Sequence, residues 1–147
     1  MTKTRPSSAL RIDHIGIAVR SIQDHLTIYE EYLGLQVTGT EDLPQRGVRV
    51  AMLPVGESRV ELVEPLSDDS PISRFLERRG DGLHHICFAV SDLDAALAEL
   101  QAKGARLINT TPVTGEGGGR VAFLHPKGTG GILIELKEPP RGDAADA

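Results

Sequence analysis

Two histidines and two glutamates recur at matching places in this chain, His14 and Glu61 in its first half and His85 and Glu135 in its second. Imidazole nitrogen and carboxylate oxygen together suit a divalent first-row metal ion with coordination positions left open. Such an ion offers Lewis-acid chemistry, and a carboxylate beside it offers proton transfer. Taken singly, each of these residues is more ordinarily a paired core histidine or a solvated carboxylate. Their recurrence within a repeat is what sets them apart.

The repeat is carried by the strand-like stretch Ile12 to Val19, which returns in altered form as Leu83 to Val90. Side chains alternate across a strand, so His14, Gly16 and Ala18 share one face and Ile15, Ile17 and Val19 the other. The second copy sets His85, Cys87 and Ala89 against Ile86, Phe88 and Val90. The bulky faces call for covering helices, and each histidine beside small residues suits a cavity. The spacing holds along the chain: 71 positions separate His14 from His85 and Val50-Ala51-Met52-Leu53 from Val121-Ala122-Phe123-Leu124. Glu61 and Glu135 stand 74 apart, so the second copy carries three extra residues, placed at the turn Gly128 to Gly131.

The elements that position these groups follow from local signals. Ser21-Ile22-Gln23-Asp24 is a variant capping box opening a helix with the stripe Ile22, Leu26, Tyr29 and Leu33, stopped by Gly34. A short strand over Leu35 to Thr38, an acidic loop, a strand over Val48 to Leu53, a turn at Pro54 to Ser58 and a strand over Arg59 to Glu64 complete the first copy. The second replays the order with a helical stripe Leu93, Ala96, Leu97 and Leu100, a stop at Gly104, strands over Ala105 to Ile108 and Arg120 to Leu124, and a last strand carrying Glu135. Between the copies, Ser70 caps and Pro71 opens a connector helix running to about Arg79 and ending at Gly80.

The fold class expected is α+β: two tandem βαβββ modules forming a curved, barrel-like mixed sheet around a central metal site. One domain spans residues 10–139, with a first module at about 10–66, the connector at about 70–80 and a second module at about 82–138. Residues 1–9 and 140–147 read as flexible tails.

His84 falls on the apolar face beside Ile86 and reads as a packing histidine, and His25 as a solvated helical one. Gly115-Glu116-Gly117-Gly118-Gly119 lacks the Lys-Ser or Lys-Thr of a phosphate cradle and reads as a mobile loop between strands. Lys127, in the longer second turn, is a candidate contact for an anionic ligand. The formal charge of -5 and pI near 5.5 speak against a nucleic-acid surface. Cys87 is the single cysteine, no apolar run approaches a membrane span, and Met1 to Leu10 has no signal-peptide core. A reducing cytoplasm is the compartment expected.

At Asp13 to Val19 (DHIGIAV), Val60 to Val90 and Phe123 to Leu136 (FLHPKGTGGILIEL) the chain resembles the vicinal oxygen chelate superfamily and, within it, epimerases of malonyl-type CoA thioesters. The resemblance covers nearly everything from Ile12 to Pro139. It implies metal ligation by His14, Glu61, His85 and Glu135, one divalent ion per chain with Co2+ favoured over Mn2+, Ni2+ or Zn2+, an acyl-CoA substrate and a homodimer. The implied activity is interconversion of (2R)- and (2S)-methylmalonyl-CoA by proton removal and return at C2 through a metal-stabilised enolate. Some such epimerases place a basic glutamate after a Gly-Val pair; Gly47-Val48-Arg49 matches that stretch, but Val50 follows. The charge that position lacks is found at Glu61, so Glu61 and Glu135 are the two proton carriers expected. The alternatives are a glyoxalase-type isomerase, an extradiol dioxygenase, which would need only two histidines and one carboxylate, and a metal-free binding module that would need none of the four.

Overall fold

The computed structural model of the protein describes residues 7–138. The tails expected to be flexible fall largely outside these. The chain divides into two compact units, one over His14–His84 and the other comprising the chain up to Asp13 with the chain from His85 onward. Among the described residues no helix is long and apolar enough to cross a membrane.

In the His14–His84 unit the strands are β1 (Arg11–Ala18, from His14 on), β2 (Gly39–Leu43), β3 (Val48–Val55) and β4 (Ser58–Pro65), in the order β2-β3-β4-β1. β1 runs parallel to β4, with His14 opposite Arg59 and Gly16 opposite Glu61, and β3 pairs antiparallel to both β4 and β2. The register sets two faces. On one, Val19, Ala51, Leu53 and Leu62 pack against Ile22 of α1 (Ile22–Leu26), with Leu26 and Tyr29 alongside. On the other, Ala18, Val50 and Val63 pack under Ile72 and Leu76 of α2 (Pro71–Arg79). Leu62 is fully buried, so Leu62→Ala would cost about 2–5 kcal/mol.

The second unit repeats the plan with β5 (Gly82–Ala89, from His85 on), β6 (Val113–Thr114), β7 (Arg120–Leu124) and β8 (Leu133–Glu138), ordered β5-β8-β7-β6. β5 is parallel to β8, with His85 opposite Leu133 and Cys87 opposite Glu135. α3 (Leu93–Ala102) lays Leu93, Ala96 and Leu97 on Val90, Ala122 and Leu136, with Leu100 partly buried against them. The expected α+β class and the βαβββ order of each module are therefore present.

Local signals set the helix ends. Ser70 accepts a hydrogen bond from the Ile72 N–H, Pro71 opens α2, and Gly80 closes it at a φ of 72° that an L side chain disfavours. Asp92 caps α3 by accepting from the Ala95 N–H at 3.1 Å.

Three expectations are corrected. The strand expected at Leu35 to Thr38 forms instead at Gly39–Leu43, within the stretch read as an acidic loop. Leu35 and Val37 turn onto the Val19 cluster, and the pairing with β3 passes to the segment whose Asp42 accepts from Arg49 Nε at 2.7 Å. Along that strand Glu41 and Asp42 are exposed, charges that blunt an edge. The strand expected at Ala105 to Ile108 is reduced to one bridge, Leu107 to Leu124. Leu33 is 61% exposed because α1 continues as a π-helical turn over Thr27–Tyr32, whose wider winding rotates Leu33 off the apolar stripe.

Candidate functional site

Each unit sets one histidine against one carboxylate on the sheet face away from α1 or α3. His14 Nε2 lies 3.7 Å from Glu61 Oε2 and His85 Nε2 lies 3.5 Å from Glu135 Oε1. The parallel register accounts for both: Glu61 sits beside Gly16, two residues after His14, and Glu135 beside Cys87, two residues after His85. Gly16 and Cys87 leave room for the diagonal approach. All four side chains are buried, His14 to 1% and Glu135 to 2% exposure.

Buried carboxylates and imidazoles are expensive unless paired or metal-bound. Two ligands each about 2.0–2.2 Å from one ion stand roughly 3–3.6 Å apart, so both pairs have the chemistry and approximate spacing of metal ligands. In each unit the donors, one imidazole and one carboxylate, are of the kind that suits a divalent ion.

His84 is removed from this set, since its ring meets Phe75 edge-on at 5.0 Å, the packing role expected. His25 differs from expectation: its Nδ1 lies 2.9 Å from the Ser21 carbonyl oxygen and its Nε2 3.1 Å from Asp81 Oδ2. Arg20 joins the same carboxylate at 3.1 Å, so His25 shares a partly exposed polar cluster with Arg20 and Asp81. Lys127 is exposed on a short 3-10 turn, Pro126–Gly128, and its N–H donates to His125 Nδ1 at 3.1 Å. The glycine-rich stretch closes on itself, the Gly115 N–H donating to the Gly119 carbonyl at 2.7 Å, and leads into β7 rather than a helix. Val50 is 3% exposed and fills the core beneath α2.

Sequence reasoning missed a second repeated device. The Ile22 N–H, first in α1, donates to Glu64 Oε1 at 2.9 Å, and Arg49 lies 3.4 Å from Oε2 of the same carboxylate. In the other unit the Leu93 N–H, first in α3, donates to Glu138 Oε1 at 3.2 Å, with Arg120 2.9 Å from Oε2. A carboxylate at a helix N-terminus satisfies an orphan donor and complements the helix dipole. The signal was present, since Arg49 and Arg120 stand 71 apart and Glu64 and Glu138 stand 74 apart, the offsets of the histidines and glutamates. Also missed was the buried ion pair of Lys137 with Asp13, 3.8 Å apart, Lys137 sharing the face of Glu135.

Comparison with known proteins places these residues in context. Residues 13–123 match the glyoxalase/bleomycin resistance protein/dioxygenase superfamily. The ethylmalonyl-CoA/methylmalonyl-CoA epimerase of Cereibacter sphaeroides is 38% identical over 130 residues, covering 87% of this chain and 97% of that protein. The crystal structure of methylmalonyl-CoA epimerase from Mycobacterium tuberculosis superposes with a TM-score of 0.89 at 37% identity, over 99% of this chain and 97% of its own. A variant of the Streptomyces coelicolor methylmalonyl-CoA epimerase, solved with 2-nitronate-propionyl-CoA, gives a TM-score of 0.85 at 39% identity, over 89% and 95%.

Proposed function

The chain belongs to the glyoxalase/bleomycin resistance protein/dioxygenase superfamily, and from that premise we propose that it is a metal-dependent epimerase interconverting (2R)- and (2S)-methylmalonyl-CoA. The observation that carries the reading is the matched pair of buried contacts, His14 to Glu61 and His85 to Glu135, in a chain similar to epimerases over most of its length. The reading assigns one divalent ion per chain to these four residues, Co2+ favoured over Mn2+, Ni2+ or Zn2+.

A bound divalent ion supplies Lewis acidity, which offsets the negative charge that develops on the thioester oxygen as the C2 proton leaves. His14 and His85 would hold the ion through ring nitrogens and are kept in place by burial. Glu61 and Glu135 would carry the proton, each serving one face of C2, as carboxylates that would also hold the ion. Val50 offers no base, and its burial under α2 supports giving both proton transfers to the glutamates. Lys127 serves as an exposed contact for the anionic part of the CoA chain. One domain spanning residues 10–139, a twofold homodimer and a cytoplasmic setting complete the proposal.

Solvent deuterium exchange tests it. Metal-loaded protein is expected to wash deuterium into C2 of both (2R)- and (2S)-methylmalonyl-CoA, with the exchange abolished by a chelator and restored by Co2+. No exchange into either epimer by metal-replete protein rejects the reading.

A further inference from the structure

We propose that Arg59 is the specificity-determining cation that receives the free carboxylate of the acyl-CoA substrate, an assignment resting on the epimerase reading above. Arg59 is placed by register: it lies beside His14 in the parallel β1–β4 pair and two residues before Glu61 on the same strand. Period-2 alternation then puts Arg59, Glu61 and His14 on one face. Arg59 is half-buried near the β3–β4 turn, where a guanidinium can meet a ligand without losing all its water. Its register neighbours are His14 in β1 and Pro54 in β3, and Glu61 shares its face two residues further along the strand.

The other unit supplies an internal comparison. Beside His85 in β5 stands Leu133 of β8, the counterpart of Arg59 in the repeat. The two histidine and glutamate positions match between the repeats, whereas this neighbouring position is cationic in one and apolar in the other. An asymmetric ligand, charged at one end of its reacting group, calls for that difference.

Charge counting gives the reason for a cation. A divalent ion with Glu61 and Glu135 is neutral overall, the histidines being uncharged as ligands. A malonyl-type thioester brings one negative charge in its free carboxylate, and loss of the C2 proton adds another. In buried surroundings an uncompensated charge is costly. The planar guanidinium fork matches a carboxylate with two parallel hydrogen bonds, which a lysine ammonium does not reproduce.

The test is direct titration of metal-loaded protein with two thioesters, methylmalonyl-CoA and propionyl-CoA, the second lacking the carboxylate. Arg59→Leu, which copies the residue of the other repeat, is expected to weaken methylmalonyl-CoA binding by about 10- to 100-fold, in the range of a lost hydrogen bond to a charged group. Propionyl-CoA binding stays within about 2-fold, metal content is retained, and Arg59→Lys recovers part of the loss. Should Arg59→Leu fail to fold, Arg59→Gln keeps the side chain polar and is read the same way. Equal weakening of both thioesters overturns the proposal in favour of a contact to the CoA phosphates, and unchanged affinity for both overturns it outright. Deuterium exchange by wild-type protein on the same samples separates the two readings. Selective loss at Arg59 without any exchange removes the epimerase and keeps the carboxylate contact; exchange with unchanged selectivity does the reverse.

Discussion

The carboxylate of Glu64 accepts the N–H of Ile22 across 42 residues of sequence, at 2.9 Å. Glu138 and Leu93 make the equivalent contact across 45 residues, at 3.2 Å. Glu64 and Glu138 each lie three residues beyond a glutamate assigned to the metal, so the strand that presents that glutamate is tied at its end to the start of a helix.

Removing this tie should destabilise the fold rather than change the chemistry. Glu64→Ala and Glu138→Ala are each expected to cost about 0.5–2 kcal/mol, the range for loss of a helix cap. In a chain of this size that lowers the melting midpoint by a few degrees, about 2–4 °C per kcal/mol. Calorimetry checks it, and an unchanged midpoint for both variants would show that water replaces the carboxylates without loss.

His85→Ala should remove most of the metal and most of the exchange activity, whereas His84→Ala, whose ring packs on Phe75, should keep both. Metal analysis of the two purified variants decides. The reverse outcome would mean that the β5 face has been assigned wrongly.

Glu61→Gln separates ligand from base. Glutamine keeps an oxygen for the ion but no proton-carrying carboxylate, so metal should remain while epimerisation is lost and deuterium enters from only one substrate epimer. Turnover near that of the wild type would leave Glu61 as a ligand alone.

Gly115→Ala is expected to cost roughly 1–3 kcal/mol, the usual range for overpacking. An added Cβ would stand 2.7 Å from Cγ1 of Val121, a side chain only 1% exposed and unable to withdraw. Denaturant titration measures the effect, and a variant as stable as the wild type would show that the loop moves aside freely.

Glu99 titrates far below an ordinary glutamate, at about 2, chiefly because Lys103 donates to it at 2.9 Å, with the Ser7 N–H adding to the effect. A carboxylate depressed in the folded state stabilises above its unfolded value, and that contribution is lost as pH falls from about 4.5 through about 2. Glu99→Gln should therefore flatten the stability curve across that acid window. An NMR titration of the Glu99 carboxyl with a midpoint near 4.5 would contradict the assignment.

Features that depend on near neighbours were legible in the order of residues alone. Alternation of His14, Gly16 and Ala18 with Ile15, Ile17 and Val19 assigns faces because a strand has period two. Ser70, Pro71 and Gly80 bound α2 because capping bonds and backbone dihedrals are satisfied within a few residues. The repeat then marked out His14, Glu61, His85 and Glu135, since matching offsets can be read without knowing how the chain folds. Where distant partners compete, the outcome was set by the folded packing. Leu35 and Val37 abandon strand pairing because packing on the Val19 cluster buries apolar surface, and the acidic Gly39–Leu43 takes the edge in their place. The π-helical turn that exposes Leu33 leaves no mark in hydrophobic periodicity. Glu64 finds Ile22, and Lys137 finds Asp13, because a buried or end-of-helix polar group takes whichever partner the fold brings within reach.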